Sequence, residues 1–117
     1  MTTTTTFIDS SECARIKDGM QGEFAEIVNK ELCGADNVVG MLRWLNEGES
    51  LDASLEDPRY QLIYLMEGSG VIELEGKDYE VAAGNGVYLE PSETANIKQA
   101  GGEQLKLFHL VVPKQNA

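Results

Sequence analysis

One side chain in this sequence has an ordinary pKa near neutrality, His109, the single histidine among 117 residues. It lies in the run Leu105-Lys106-Leu107-Phe108-His109-Leu110-Val111-Val112, where strand alternation places it on the face of Leu105, Leu107 and Val111. A histidine on an apolar face is more often a neutral, hydrogen-bonded core residue than a base or a ligand. For acid–base chemistry without a metal it is the first candidate, with Tyr64 and Tyr88 behind it. Arg43 is the second residue of interest, a cation set among Val, Met, Leu and Trp in Asn37 to Asn46. It either forms an ion pair at a rim or interface, or faces a cavity and binds an anionic ligand. A third feature is acidic: Glu47, Glu49, Asp52, Glu56 and Asp57 crowd one segment that ends at Pro58. Such a run is usually a solvated face, but lining a cleft it would favour a cationic ligand or a metal.

Other chemistries lack their signatures. There is no GxSxG and no GxxxxGK[ST], and Gly68-Ser69-Gly70 punctuates two strands without opening a helix. Cys13 and Cys33 have no zinc-type spacing and are expected to be reduced thiols. The formal charge of -11, from 20 acids and nine bases, repels phosphate backbones and anionic lipid, so neither nucleic acid nor membrane is an expected partner. No apolar run reaches the roughly 18 residues of a membrane span. The threonine-rich start lacks the pattern of a secretory signal, which makes a cytoplasmic location the default expectation.

The elements that must position these residues are strands. Between Tyr60 and Ile97, four short apolar runs (60–66, 71–74, 79–81 and 87–89) are separated by turns rich in glycine. That rhythm predicts an antiparallel, all-β architecture. Further strands are expected over 22–34, at an edge with Ala25, Ile27 and Cys33 inward, over 37–46 and over 105–112. Asp9-Ser10-Ser11-Glu12 offers a cap for a short helical turn. Strands 37–46, 60–66 and 105–112 are apolar on both faces. One barrel has one interior, so a second layer must cover the outside, either the N-terminal segment or another subunit.

The stretch from Val38 to Pro113 resembles the cupin family in its punctuation: Tyr64-Leu65-Met66-Glu67-Gly68, the Gly-bounded pair Gly70 to Gly76, Ala83-Gly84-Asn85, and Pro91-Ser92-Glu93-Thr94-Ala95-Asn96. The resemblance implies a double-stranded β-helix, or jelly-roll, barrel over 22–113. A short N-terminal extension (1–21) and a tail (114–117) would flank it. It also implies where metal ligands would stand. The family's glutamate position is Gln61, its paired histidines fall at Ser54 and Glu56, or one residue later at Leu55 and Asp57, and its last histidine is Asn96. None carries its usual ligand. Imidazole suits transition metals and amide oxygens bind them weakly, so no cofactor is expected. A substitute set of Glu56, Asp57, Gln61, Asn96 and His109 would suit Mn or a hard cation better.

Two functions follow from the resemblance. The favoured one is a small-molecule-binding barrel with a degenerate metal site, acting as a homodimer, with Arg43, Ser54, Glu56, Gln61, Ile63, Asn96 and His109 as its candidate site residues. The other is a small isomerase, lyase or dioxygenase with an unusual metal or none. By parity, Gln61 shares its face with Ile63 and Leu65, whereas Asn96 shares a polar face with Thr94 and Lys98. Gln61 is therefore the firmer pocket residue.

Overall fold

A computed structural model describes residues 8–34, 38–53 and 59–113. Ten strands form among the described residues: β1 (Ile16–Lys17), β2 (Glu23–Val28), β3 (Val39–Leu45), β4 (Ser50–Asp52), β5 (Arg59–Glu67), β6 (Ser69–Leu74), β7 (Lys77–Ala82), β8 (Gly86–Leu89), β9 (Asn96–Ala100) and β10 (Leu105–Pro113). They pair antiparallel in two sheets, β1-β2-β3-β10-β5-β8 and β4-β9-β6-β7. The sheets face each other as a jelly-roll barrel, the all-β class expected from the turn rhythm. No helix among the described residues is long and apolar enough to cross a membrane.

Alternation fills the space between the sheets. Leu45, Ile63, Leu65, Leu105 and Leu107 from the larger sheet meet Leu51, Ile72 and Ile97 from the smaller one in a single buried cluster. Each such side chain contributes about 1.5–3 kcal/mol when fully buried. The inward row of β5 is Gln61, Ile63 and Leu65, as parity predicts, while Leu62, Tyr64 and Met66 face out and are exposed. β3 is covered on both sides, with Met41, Arg43 and Leu45 inward and Leu42 buried on the opposite face.

The N-terminal region departs from expectation. The strand over 22–34 stops at Val28, because Asn29 caps a four-residue helix, α1 (Lys30–Cys33), by accepting the Leu32 amide at 2.8 Å. Cys33 is thus in a helical turn and not on a strand. A register shift between Glu26 and Val28 breaks the simple alternation of β2. Phe24 pairs with Arg43 and Glu26 with Met41, so these two share the inward face. Ala25, expected inward, pairs with Leu42 and is buried on the other side. Nor is β2 the edge, since β1 lies outside it. The cap at Asp9 does form, on a 3-10 turn at Ser10–Glu12.

A second 3-10 turn, Gly19–Gln21, is pressed against the barrel. Gly22, which follows it, has φ +75, and a Cβ there would collide with the Trp44 carbonyl oxygen. Only glycine lets the chain pass this close to β3. That approach holds Asp18 and Gln21 beside the barrel interior.

Candidate functional site

The inward face of the larger sheet is apolar over most of its length and polar at one end. There Arg43 on β3, His109 on β10 and Gln61 on β5 are the buried polar side chains among the described residues. They do not lie directly across from one another. Arg43 is opposite Leu107, His109 opposite Ile63 and Gln61 opposite Val111, so the three step diagonally over three adjacent strands. Diagonal neighbours are reachable by long side chains.

The three are hydrogen-bonded in series. Arg43 Nε donates to His109 Nδ1 at 3.0 Å. With Nδ1 accepting, the imidazole proton is on Nε2, which donates to Gln61 Oε1 at 2.7 Å. Gln61 Nε2 then donates to the Ala53 carbonyl at 2.7 Å. The guanidinium orders the tautomer, and the tautomer orders the amide. Burial pushes the His109 pKa down to about 3, with the neighbouring Arg43 charge acting in the same direction. His109 is therefore a neutral core histidine whose basic lone pair is already taken, a poor general base.

At its other end the series meets the N-terminal turn. Arg43 Nη1 faces Asp18 Oδ2 at 3.6 Å, an ion pair longer than a hydrogen bond, and Nη1 is buried without a hydrogen-bond partner. Burial lowers the Arg43 pKa and the Asp18 charge opposes that shift. Phe24 covers the guanidinium, 5.1 Å from its ring centroid. Asp18 Oδ2 also accepts from Gln21 Nε2 at 3.2 Å, and Gln21 Oε1 accepts the Asp52 amide at 2.9 Å. The polar chain thus closes into a ring. It leaves β4 at the Asp52 N–H and returns at the Ala53 carbonyl, after passing through Gln21, Asp18, Arg43, His109 and Gln61.

Of the residues expected at the site, Arg43, Gln61 and His109 are brought together. Ile63 lies directly beside His109 but is enclosed in the apolar cluster. Ser54 and Glu56 fall outside the described residues. Asn96 must be corrected. The smaller sheet turns Ala95 and Ile97 inward, so Asn96 points outward in register with Asp52 and Glu73 on the neighbouring strands. The parity of β9 is set by Ile97, whose burial outweighs that of an amide. The acidic segment lines no described cavity mouth with Glu47 or Glu49: Glu47 is exposed and Glu49 accepts the Asn46 amide at 2.7 Å. Asp18, Gln21 and Phe24 were not legible as site residues. The one available sign was the Asp18-Gly19 turn ending at Gly22, which says nothing of Arg43.

The donors among the described residues fit a transition metal poorly. Among the described residues no group of three His, Cys, Asp or Glu side chains converges. Gln61 and His109 bond each other, and the inward positions flanking the family's ligand places are Ala53 and Ala95. Amide and guanidinium groups do not make a tight site for such ions.

Comparison with known proteins agrees with the fold. A family model described as the AraC-like ligand binding domain matches residues 54–116, more than half of the chain. No curated protein matches the sequence. Among solved structures, a predicted oxalate decarboxylase of Thermotoga maritima superposes with a TM-score of 0.78 at 23% identity, over 93% of this chain and 100% of that one. The polyketide cyclase RemF of Streptomyces resistomycificus reaches 0.79 at 15% identity, over 97% and 82%. A cupin protein of Bacteroides fragilis reaches 0.72 at 14%, over 100% and 90%. At these identities the likeness establishes fold alone, and the neighbours' chemistries differ among themselves. The chain has the cupin fold and belongs to the AraC-like ligand-binding domain family.

Proposed function

We propose that this protein is a small-molecule-binding cupin without a metal centre of the family's usual kind, reading its ligand through Arg43, His109 and Gln61. The observation that carries the reading is the hydrogen-bonded series itself: three polar side chains held in fixed orientations at one end of an otherwise apolar interior. Polar groups that converge on an apolar lining are the makings of a small-molecule site. The ligand-binding family supports the same reading.

The enzymatic alternative is less well served. Its best acid–base group, His109, is held neutral, with Nδ1 accepting from Arg43. The outward apolar row of Leu62, Tyr64, Met66 and Tyr88 supports a homodimer, since a second copy would cover a face that one chain leaves open. Sedimentation at micromolar concentration is expected to give a dimer, and Tyr64→Lys a monomer.

The decisive experiment is elemental mass spectrometry on protein purified without chelator or added metal, paired with a small-molecule thermal-shift screen. We expect no stoichiometric metal, no loss of stability on chelation, and at least one stabilising compound whose effect disappears in Gln61→Ala, because a ligand stabilises the fold it binds. Near-stoichiometric Mn, Fe, Ni or Zn would overturn the reading and turn attention to oxygenase and isomerase assays.

A further inference from the structure

We propose that Arg43 is a carboxylate-binding subsite and that Asp18 occupies it as an internal stand-in for an anionic ligand; this deepens the binding reading above and rests on it. The guanidinium is unusually prepared. Its residue is 9% exposed, its Nε is committed to His109 at 3.0 Å, and its face is covered by Phe24. Of the other donors, Nη1 is buried and without a hydrogen-bond partner. A buried charged donor left unsatisfied is costly, so a native fold rarely keeps one without use.

Asp18 answers this need only in part. Its carboxylate stands 3.6 Å from Nη1, an ion pair slightly longer than a good hydrogen bond, and the same oxygen takes the Gln21 amide. Its side chain is 38% exposed, so solvent reaches the place where the carboxylate sits. An incoming carboxylate could take that place from the solvent side and bond Nη1 directly, since guanidinium and carboxylate match in geometry as well as charge. The fixed Nε–His109 bond means that the donor need not reorganise to receive it. The chain's overall charge of -11 opposes large polyanions at long range, which points to a small monocarboxylate.

The test is isothermal titration of the full chain with acetate and benzoate, against acetamide and benzamide as neutral isosteres. Removal of the internal competitor in Asp18→Ala is expected to tighten acetate binding at least about tenfold, as when a blocked site becomes fully available. The amides should gain nothing, and Arg43→Gln in the same background should abolish the gain. Asp18→Asn, which keeps size and loses charge, should show part of it and guards against misfolding of the alanine variant. Equal binding of acetate and acetamide, no tightening in either Asp18 variant, or acetate binding that survives Arg43→Gln would each overturn the subsite. If a neutral compound stabilises the wild type in a Gln61-dependent way while acetate leaves both Asp18 variants untouched, the binding barrel stands and the carboxylate subsite falls.

Discussion

Two rows of three polar residues, one on each sheet, show how much the face decides. Arg43, His109 and Gln61 point between the sheets, are buried, and are bonded in series. Asp52, Asn96 and Glu73 lie in strict register across β4, β9 and β6 but point outward, and Asp52 and Glu73 are exposed. In the outer row the two carboxylates are exposed to water. In the inner row each group replaces water for its neighbour, and the loss of one strands the next. Family correspondence places both Gln61 and Asn96 at ligand positions, yet only Gln61 is in the interior.

Acid should separate the rows most strongly. His109 has a folded pKa of about 3 against an unfolded value of 6.5, so the folded state binds fewer protons between these limits. The stability it contributes is present above pH 6.5 and is lost as pH falls toward about 3, a total on the order of 5 kcal/mol. Urea denaturation from pH 7 to 4 is expected to show this decline, and His109→Gln to flatten it; an unchanged slope in the variant would break the assignment.

Next in size is His109→Leu. It leaves Arg43 Nε and Gln61 Oε1 buried without partners, and should cost about 3 kcal/mol at pH 7 by chemical denaturation. Gln61→Leu strands the His109 N–H and the Ala53 carbonyl, both neutral, and is expected to cost about 2 kcal/mol. The two losses should not add, and a double-mutant cycle that gave strict additivity would argue against a connected series. Smallest is Asn96→Ala. Its Oδ1 is buried but has no hydrogen-bond partner to lose, so a change within about 0.5 kcal/mol is expected. A cost comparable to that of Gln61→Leu would erase the distinction between the rows.

Much of this was legible from alternation. Which residues share a face on β5, and the apolar company of His109, follow from period-two patterning, whereas which of the two apolar faces is the interior was decided by the packing of Ile63, Leu65, Leu105 and Leu107. Asn96 was harder. Its strand offers Ala95 and Ile97 on one side and Asn96 and Lys98 on the other, and family position pulled against hydrophobicity until the packing of Ile97 settled the matter. The end of β2 at Val28 turned on the Asn29 cap, a local signal outweighed in the sequence by the apparent continuation of alternation through Cys33.

By itself the sequence determined that the chain is a barrel of antiparallel strands, where its turns lie, and which residues of the long strands share a face. These are properties of nearest neighbours along the chain: glycine's freedom at positive φ and the pleat's period of two. Tertiary structure alone decided that Arg43 meets His109, that Asp18 and Gln21 close the ring to Asp52, and that Asn96 lies on the outer face of its sheet. Arg43 and His109 are 66 residues apart, and Gln21 and Asp52 are 31 apart. Their meeting depends on sheet order, register and a glycine that admits the N-terminal turn against β3, and no local pattern of residue types encodes distance across a fold.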